Sequence, residues 1–267
     1  MNFISEPTLL SKGVYLQIPV RMTLLDEAII RSNEPEEVLT FTYRTIGNRF
    51  IIPWRKIKGK IRRLALEKQR YLNIEPDCAL KDELCMRCPT CFLFGGTGET
   101  SSSNVPYNIL SRVYGETFIS ETPVESITPY TANAVSEKDL TTGQALMSIL
   151  TVPKETTFIG VITLKDPTAE MASILIDSIQ RLTRIGARSV EWGRVMIEIL
   201  GYYISDREQF SAYLELSKTN NKDVKDIFTG LSAELRTKLP RAEDAYKTLD
   251  TQVKKLINSL TEKKGKK

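Results

Sequence analysis

Arg49-Phe-Ile-Ile-Pro-Trp-Arg-Lys-Ile-Lys-Gly-Lys-Ile-Arg-Arg-Leu64 changes its period in the middle, and that change decides the fold class. Arg49 to Ile52 suit a short strand. Pro53 can then open a helix without losing a hydrogen bond, and Trp54, Ile57, Ile61 and Leu64 recur at helical spacing. Upstream, Val38 to Tyr43 pairs with Arg49 to Ile52 as a hairpin, with Gly47-Asn48 supplying the turn. Further upstream, Val14, Leu16, Ile18, Val20, Met22 and Leu24 alternate with polar residues, the period of a strand with one buried face. Pro19 within it points to an edge or a bulge. Downstream, Phe158 to Leu164 is a strand, and Asp166-Pro167 starts a helix with the aspartate as its capping acid. Met171, Ile174, Leu175, Ile179, Leu182 and Ile185 form that helix's stripe, Gly186 stops it, and Val195, Ile197 and Ile199 make a last strand. The order predicts an α+β fold, a split β-α-β core of the ferredoxin or RRM kind with long insertions.

At 267 residues and 41% apolar content the chain can bury a full core. The core is expected over 1–205, interrupted at 71–115 by a cysteine-bearing insertion and at 120–150 by a polar, turn-rich hairpin. Residues 206–267 form a helical C-terminal region with a basic tail. Val224, Ile227, Phe228, Leu231, Leu235 and Leu239 make one amphipathic stripe there, and Tyr246, Leu249, Val253, Leu256 and Leu260 make another beyond Pro240. No apolar run is long enough to span a membrane and the N-terminus lacks a secretory pattern, so a cytoplasmic protein with no membrane partner is expected.

Two features carry chemistry. Cys78, Cys85, Cys88 and Cys91 are all the cysteines of a chain without histidine, and C-x2-C is the spacing at which a tight turn aims two thiolates at one metal. A closed, structural zinc site that folds a small peripheral lobe is the first expectation. An iron–sulfur cluster is the main rival, although in the ferredoxin run the fourth cysteine follows the triplet instead of preceding it. Reduced thiols and disulfides complete the alternatives.

The second feature is charge. Arg44, Arg49, Arg55, Lys56, Lys58, Lys60, Arg62, Arg63, Lys68 and Arg70 stand against the single acid Glu67 between residues 44 and 70, a pattern that points to a polyanion. Gly59 falls among the helix cations, where a missing side chain would let a phosphate backbone approach.

These segments resemble a known family. Asn48-Arg-Phe-Ile-Ile-Pro-Trp-Arg-Lys-Ile-Lys-Gly-Lys-Ile-Arg62 resembles the Y-I-P-G-S-S-L-K-G-K-L-R segment of the RAMP proteins that form the backbone of Cascade-like CRISPR effector complexes. Cys88-Pro-Thr-Cys91-Phe-Leu-Phe-Gly95 is similar to their C-x-x-C-x-L-F-G element, and Gly186-Ala-Arg-Ser-Val-Glu-Trp-Gly193-Arg-Val195 to their glycine loop. Tyr114 to Glu125, Thr131 to Val135 and Thr142 to Leu146 resemble the type I-D backbone subunit in particular. Trp54-Arg55-Lys56 departs from the small residues of the common pattern, only Gly193 remains of its Gly-x-Gly pair, and the base-stacking aromatic pair of ordinary RRMs is not evident.

The resemblance implies an RRM-like palm whose copies stack into a filament along a guide RNA, beside other subunits of the complex, presenting the guide to target DNA or RNA. By position the RNA contacts would be Lys56, Lys58, Lys60, Arg62 and Arg63, with Arg188 and Arg194 bordering the glycine loop and the segment from Ser120 to Leu150 as the thumb. It also implies one enzymatic option, in which Asp26 after the first strand positions a divalent ion such as Mg to cleave the guide-paired strand. A solvated acid at a strand end is the plain alternative. A stand-alone zinc-bearing RNA-binding protein is the third possibility.

Overall fold

The structure, a computed structural model, describes residues 2–31, 38–79, 83–99, 105–125, 127–135, 142–218, 228, 231–232 and 239–264. Its central strand, β1 (Tyr15–Leu24), turns Leu16, Ile18, Val20, Met22 and Leu24 into the core at 1% exposure or less, as the alternation requires. Strand β8 (Thr157–Lys165) pairs antiparallel along the length of β1, from Tyr15↔Lys165 to Thr23↔Thr157. The other side of β1 is shared by β9 (Val195–Ile199) and β10 (Tyr203–Ser205). Beyond β8 lie β4 (Val113–Gly115) and β5 (Phe118–Ser120), then β3 (Gly47–Ile52) and β2 (Thr40–Tyr43) at the edge. Helix α1 (Trp54–Tyr71) leads from β3 toward β4, and α3 (Ala169–Gln180) joins β8 to β9. Taking each split strand as one, the order β9/β10-β1-β8-β4/β5 is the ferredoxin-like 4-1-3-2 arrangement, with the β2–β3 hairpin added at its edge.

Helices α1 and α3 cover one sheet face. Behind them lies α5 (Ala242–Lys264), whose Ala245, Tyr246, Leu249, Val253 and Ile257 are buried in the same core. The Tyr246 hydroxyl donates to the Ala65 carbonyl of α1 at 3.0 Å, giving the buried phenol a partner. On the opposite face Ile119, Ile159 and Val161 are covered by Ala212 and Leu216 of α4 (Ala212–Lys218) and by Phe228. A separate two-stranded sheet, β6 (Thr128–Val135) with β7 (Thr142–Thr151), forms an antiparallel hairpin within the second insertion. Its base is tied to the core where Ala28 and Val152 exchange backbone hydrogen bonds of 3.1 and 2.8 Å. No helix among the described residues is long and apolar enough to cross a membrane.

Four details differ from expectation. The second core helix is capped by Thr168, whose hydroxyl accepts the Met171 N–H at 3.2 Å, and not by Asp166. Asp166 turns back to accept the Lys12 and Val14 N–H groups. That helix ends at Gln180, because the chain beyond it turns to bridge Arg184 with Arg194, and Leu182 and Ile185 are buried outside it. The hairpin turn is Arg44-Thr-Ile46, since Gly47 already pairs with Tyr43. Pro19 occupies a central strand and not an edge. Opposite it the Val161 N–H donates to Glu116 on the far side of β8, so Pro19↔Val161 is a pair without ladder bonds, and the proline nitrogen faces the break between β9 and β10. Of the stripe expected over 224–239, only Phe228, Leu231 and Leu239 belong to the described residues, as do only the first two lysines of the tail.

Candidate nucleic-acid interface and metal centre

Ile57, Ile61 and Ala65 anchor α1 on the sheet with no exposure, and this divides its cations between two flanks. At 100° per residue Lys56, Lys60 and Arg63 rise on one side of the helix and Lys58 and Arg62 on the other. Gly59 lies on the crest between them. A Cβ built there would meet only the Arg63 side chain, at 3.6 Å, so packing does not demand a glycine.

The first flank faces a cleft of about 270 Å³. Lys56, Lys60 and Arg63 line it together with Arg31, and Gly186 and Ala187 of the glycine loop close its far wall. That loop is held in place by backbone: Ala187 N–H donates to Ile29 O at 2.9 Å, and Ile185 N–H to Gly193 O at 2.8 Å. Gly186 and Gly193 have φ of +84° and +75°, and a Cβ on either would strike a carbonyl oxygen at 2.6 Å or closer, so glycine is required at both. Lys60 reaches across to donate to the Ser189 hydroxyl at 3.2 Å. Burial, then the charge of Arg63, pulls the Lys60 pKa below the ordinary lysine value, against the opposing pull of Glu67.

On the second flank Lys58 donates to the Ser111 hydroxyl at 2.8 Å. Burial lowers its pKa, and Arg62 adds to the effect. Arg62 Nε and Nη2, like Arg31 Nε and Arg184 Nη1, are buried with no hydrogen-bond partner among the described residues. Leaving a buried guanidinium donor unpaired is costly, and an anion is the ligand that would relieve it.

The remaining predicted cations are dispersed. Arg55 is exposed on α1, and Arg44 is exposed at the β2–β3 turn, away from the cleft. Arg49 is buried, and donates to the carbonyls of Ile46 at 2.8 Å, Ser120 at 3.3 Å and Glu121, so its guanidinium serves as a brace between β3 and β5. Arg188 and Arg194 are exposed on the glycine loop. Asp26 Oδ1 accepts the Arg194 backbone N–H at 2.7 Å, tying the end of β1 to that loop. Arg31 and Arg184 were not singled out from sequence. They stand outside the basic run, and only folding brings Arg31 to the cleft.

The four cysteines converge. All are buried, at 3% exposure or less, and their sulfurs lie within 4.8 Å of one another, with Cys78 and Cys91 at 3.4 Å. Tetrahedral Zn–S bonds of about 2.3 Å put sulfurs roughly 3.8 Å apart, so the set can hold a metal ion such as zinc. Cys88 caps α2 (Pro89–Phe94): its sulfur accepts the Cys91 N–H at 3.4 Å, and Cys78 sulfur accepts the Cys85 N–H at 3.5 Å. Such N–H···S bonds favour thiolates. Hydrogen bonding from Cys78 and its fellow thiols drives the Cys85 pKa down, whereas burial pushes Cys88 up.

This knot does not stand off as a lobe. α2 is buried throughout, and the four cysteines are continuous with the main core. Arg112 clamps the helix from outside, its guanidinium 3.7 Å over the Phe92 ring and donating to the Phe92 carbonyl at 3.1 Å. Burial pushes the Arg112 pKa down to about 10.

Residues 49–266 match the family model described as Csc2 Crispr. The chain belongs to the Csc2 CRISPR family. Among solved structures it is similar to the Csc2 of Thermofilum pendens, at 20% identity and a TM-score of 0.58, over 94% of this chain and 85% of that one. A chain of a CRISPR RNA-guided surveillance complex matches at 12% identity and a TM-score of 0.55, over 78% and 76%. A chain of a type IV-B CRISPR complex matches at 14% identity and a TM-score of 0.50, over 78% and 96%. At these identities the likeness is one of fold, and it agrees with the α+β core described above. No curated protein matches the chain in sequence.

Proposed function

We infer that this Csc2-family chain is a guide-RNA-binding backbone subunit of a CRISPR effector complex, of the type I-D kind. In this account copies polymerise along the guide beside other subunits, the sheet and its helices serve as palm, the β6–β7 hairpin as thumb, and the guide is presented for pairing with target nucleic acid. The observation that carries it is the convergence of Arg31, Lys56, Lys60 and Arg63 on one cleft beside the base of the hairpin, with Arg31 Nε buried and without a hydrogen-bond partner among the described residues. Among the described residues no carboxylate lines that cleft, which suits its cations to phosphate. The four-cysteine site would hold a structural zinc, closed to substrate by its four sulfur ligands and fixing α2 against the end of α1.

Titration of single-stranded RNA at several salt concentrations tests the account. Each phosphate contact contributes about 0.7 to the slope of log affinity against log salt for a single strand. Charge removal at Lys56, Lys60 and Arg63 should therefore lower the slope by about 2 in total. An unchanged slope would rule out the cleft as the RNA site.

A further inference from the structure

We propose that Arg184 and Arg194 form a second phosphate site, on the face of the glycine loop turned away from the cleft, for the strand that pairs with the guide. The proposal rests on the guide-RNA account and adds a contact to its second strand. Val195 N–H donates to Thr183 O at 2.9 Å and Ile185 N–H to Gly193 O at 2.8 Å, so Arg184 and Arg194 stand directly opposite each other between these bonds. In antiparallel pairing this is the closer kind of pair, with both side chains on one face and Cβ atoms about 4.5–5.5 Å apart. Like charges so placed repel each other. Among the described residues neither guanidinium has an ion-pair partner, and Arg184 Nη1 is buried with no hydrogen-bond partner. Asp26 reaches this ribbon, but its Oδ1 accepts the Arg194 backbone N–H, at 2.7 Å, instead of a side chain. A phosphodiester group set between the two guanidinium forks offsets the repulsion and gives the orphan donor an acceptor.

Placement separates this pair from the cleft. Ile185 lines the cleft with Gly186 and Ala187, and side chains alternate along paired backbone, so Arg184 and Arg194 turn to the other face and neither is among the cleft's lining residues. A guide strand seated among Lys56, Lys60 and Arg63 meets one face of the ribbon. The other polyanion that the account brings to the chain is the strand paired with the guide, and the far face is left to it.

The test uses the full chain and its Arg184→Gln variant in two arms, binding of single-stranded guide RNA and binding of the complementary strand to the guide-loaded chain. The variant should hold the guide as tightly as the native chain and bind the complementary strand about tenfold more weakly. Equal losses in both arms would put the phosphate on the guide strand and overturn the assignment to its partner. No change in either arm would remove the site. Both results leave the guide-RNA account standing, whereas a native chain that binds no guide RNA would sink that account as well. Inorganic phosphate gives a reading that does not depend on the folding of Arg184→Gln. At constant ionic strength it should raise the melting temperature of the native chain more than that of Arg194→Gln, whose altered side chain is exposed. An equal rise in both chains would overturn the site.

Discussion

Gln69 Oε1 accepts two hydrogen bonds from Thr90, from its backbone N–H at 3.2 Å and its hydroxyl at 2.9 Å, and both residues are sealed from water. This double bond joins the C-terminal end of the basic helix to the helix that carries Cys88 and Cys91. The cysteine knot and the basic helix are thus one mechanical unit. Gln69→Leu strips two buried donors of their acceptor, which should cost about 1–3 kcal/mol in chemical denaturation. A variant as stable as the native chain would show that the coupling is not tight.

Removal of a ligand should be more severe. The native chain should carry one zinc per molecule by elemental analysis, and Cys88→Ser should lose both the metal and cooperative unfolding, because the cluster belongs to the main core. The ligands bind as thiolates, so acidification should release the metal and alkaline conditions retain it. A folded, metal-free native chain would contradict this.

Lys58 should show a conflict between stability and binding. Burial and Arg62 disfavour its charged form in the fold, so the folded chain binds its proton less tightly than the unfolded chain. The penalty is full at neutral pH and disappears as pH rises through the range just below the ordinary lysine value. Lys58→Met should therefore raise the melting temperature modestly near neutrality while weakening RNA binding. A drop in both would mean that the Ser111 contact outweighs desolvation.

Glu116 gives a separate pH signature on the other side of the sheet. Its carboxylate accepts from Val161 N–H, Ala212 N–H and the Ser211 hydroxyl, yet burial dominates and raises its pKa. With the folded value raised, its contribution to stability is complete below the ordinary carboxylate range and is lost as pH rises through the folded value. Glu116→Gln keeps an acceptor oxygen and removes the titration. The stability difference between native and variant should shift in the variant's favour as pH rises across that window, and a difference independent of pH would refute the assignment.

Much of this was legible in the chain because two periods are hard to mistake. The alternation from Leu16 to Leu24 and the stripe of Ile57 and Ile61 gave the central strand and the basic helix, and the cysteine spacing gave the cluster that can hold a metal ion. Long-range pairing was not legible. Asp166 before a proline has the local pattern of a cap, but its carboxylate reaches the chain at Lys12, more than 150 residues away. Arg49 counts as one more cation in a basic run until the fold buries it among carbonyls. Arg31 carries no local signal, and it becomes part of the cleft only when the first strand's exit meets the basic helix and the glycine loop.

The central claim is tested most directly by sequencing the RNA that co-purifies with the native chain. The account predicts repeat-derived guide RNA carrying spacer sequences, lost when Lys56, Lys60 and Arg63 are neutralised together. Bound RNA without such sequences, or none at all from the assembled complex, would contradict it.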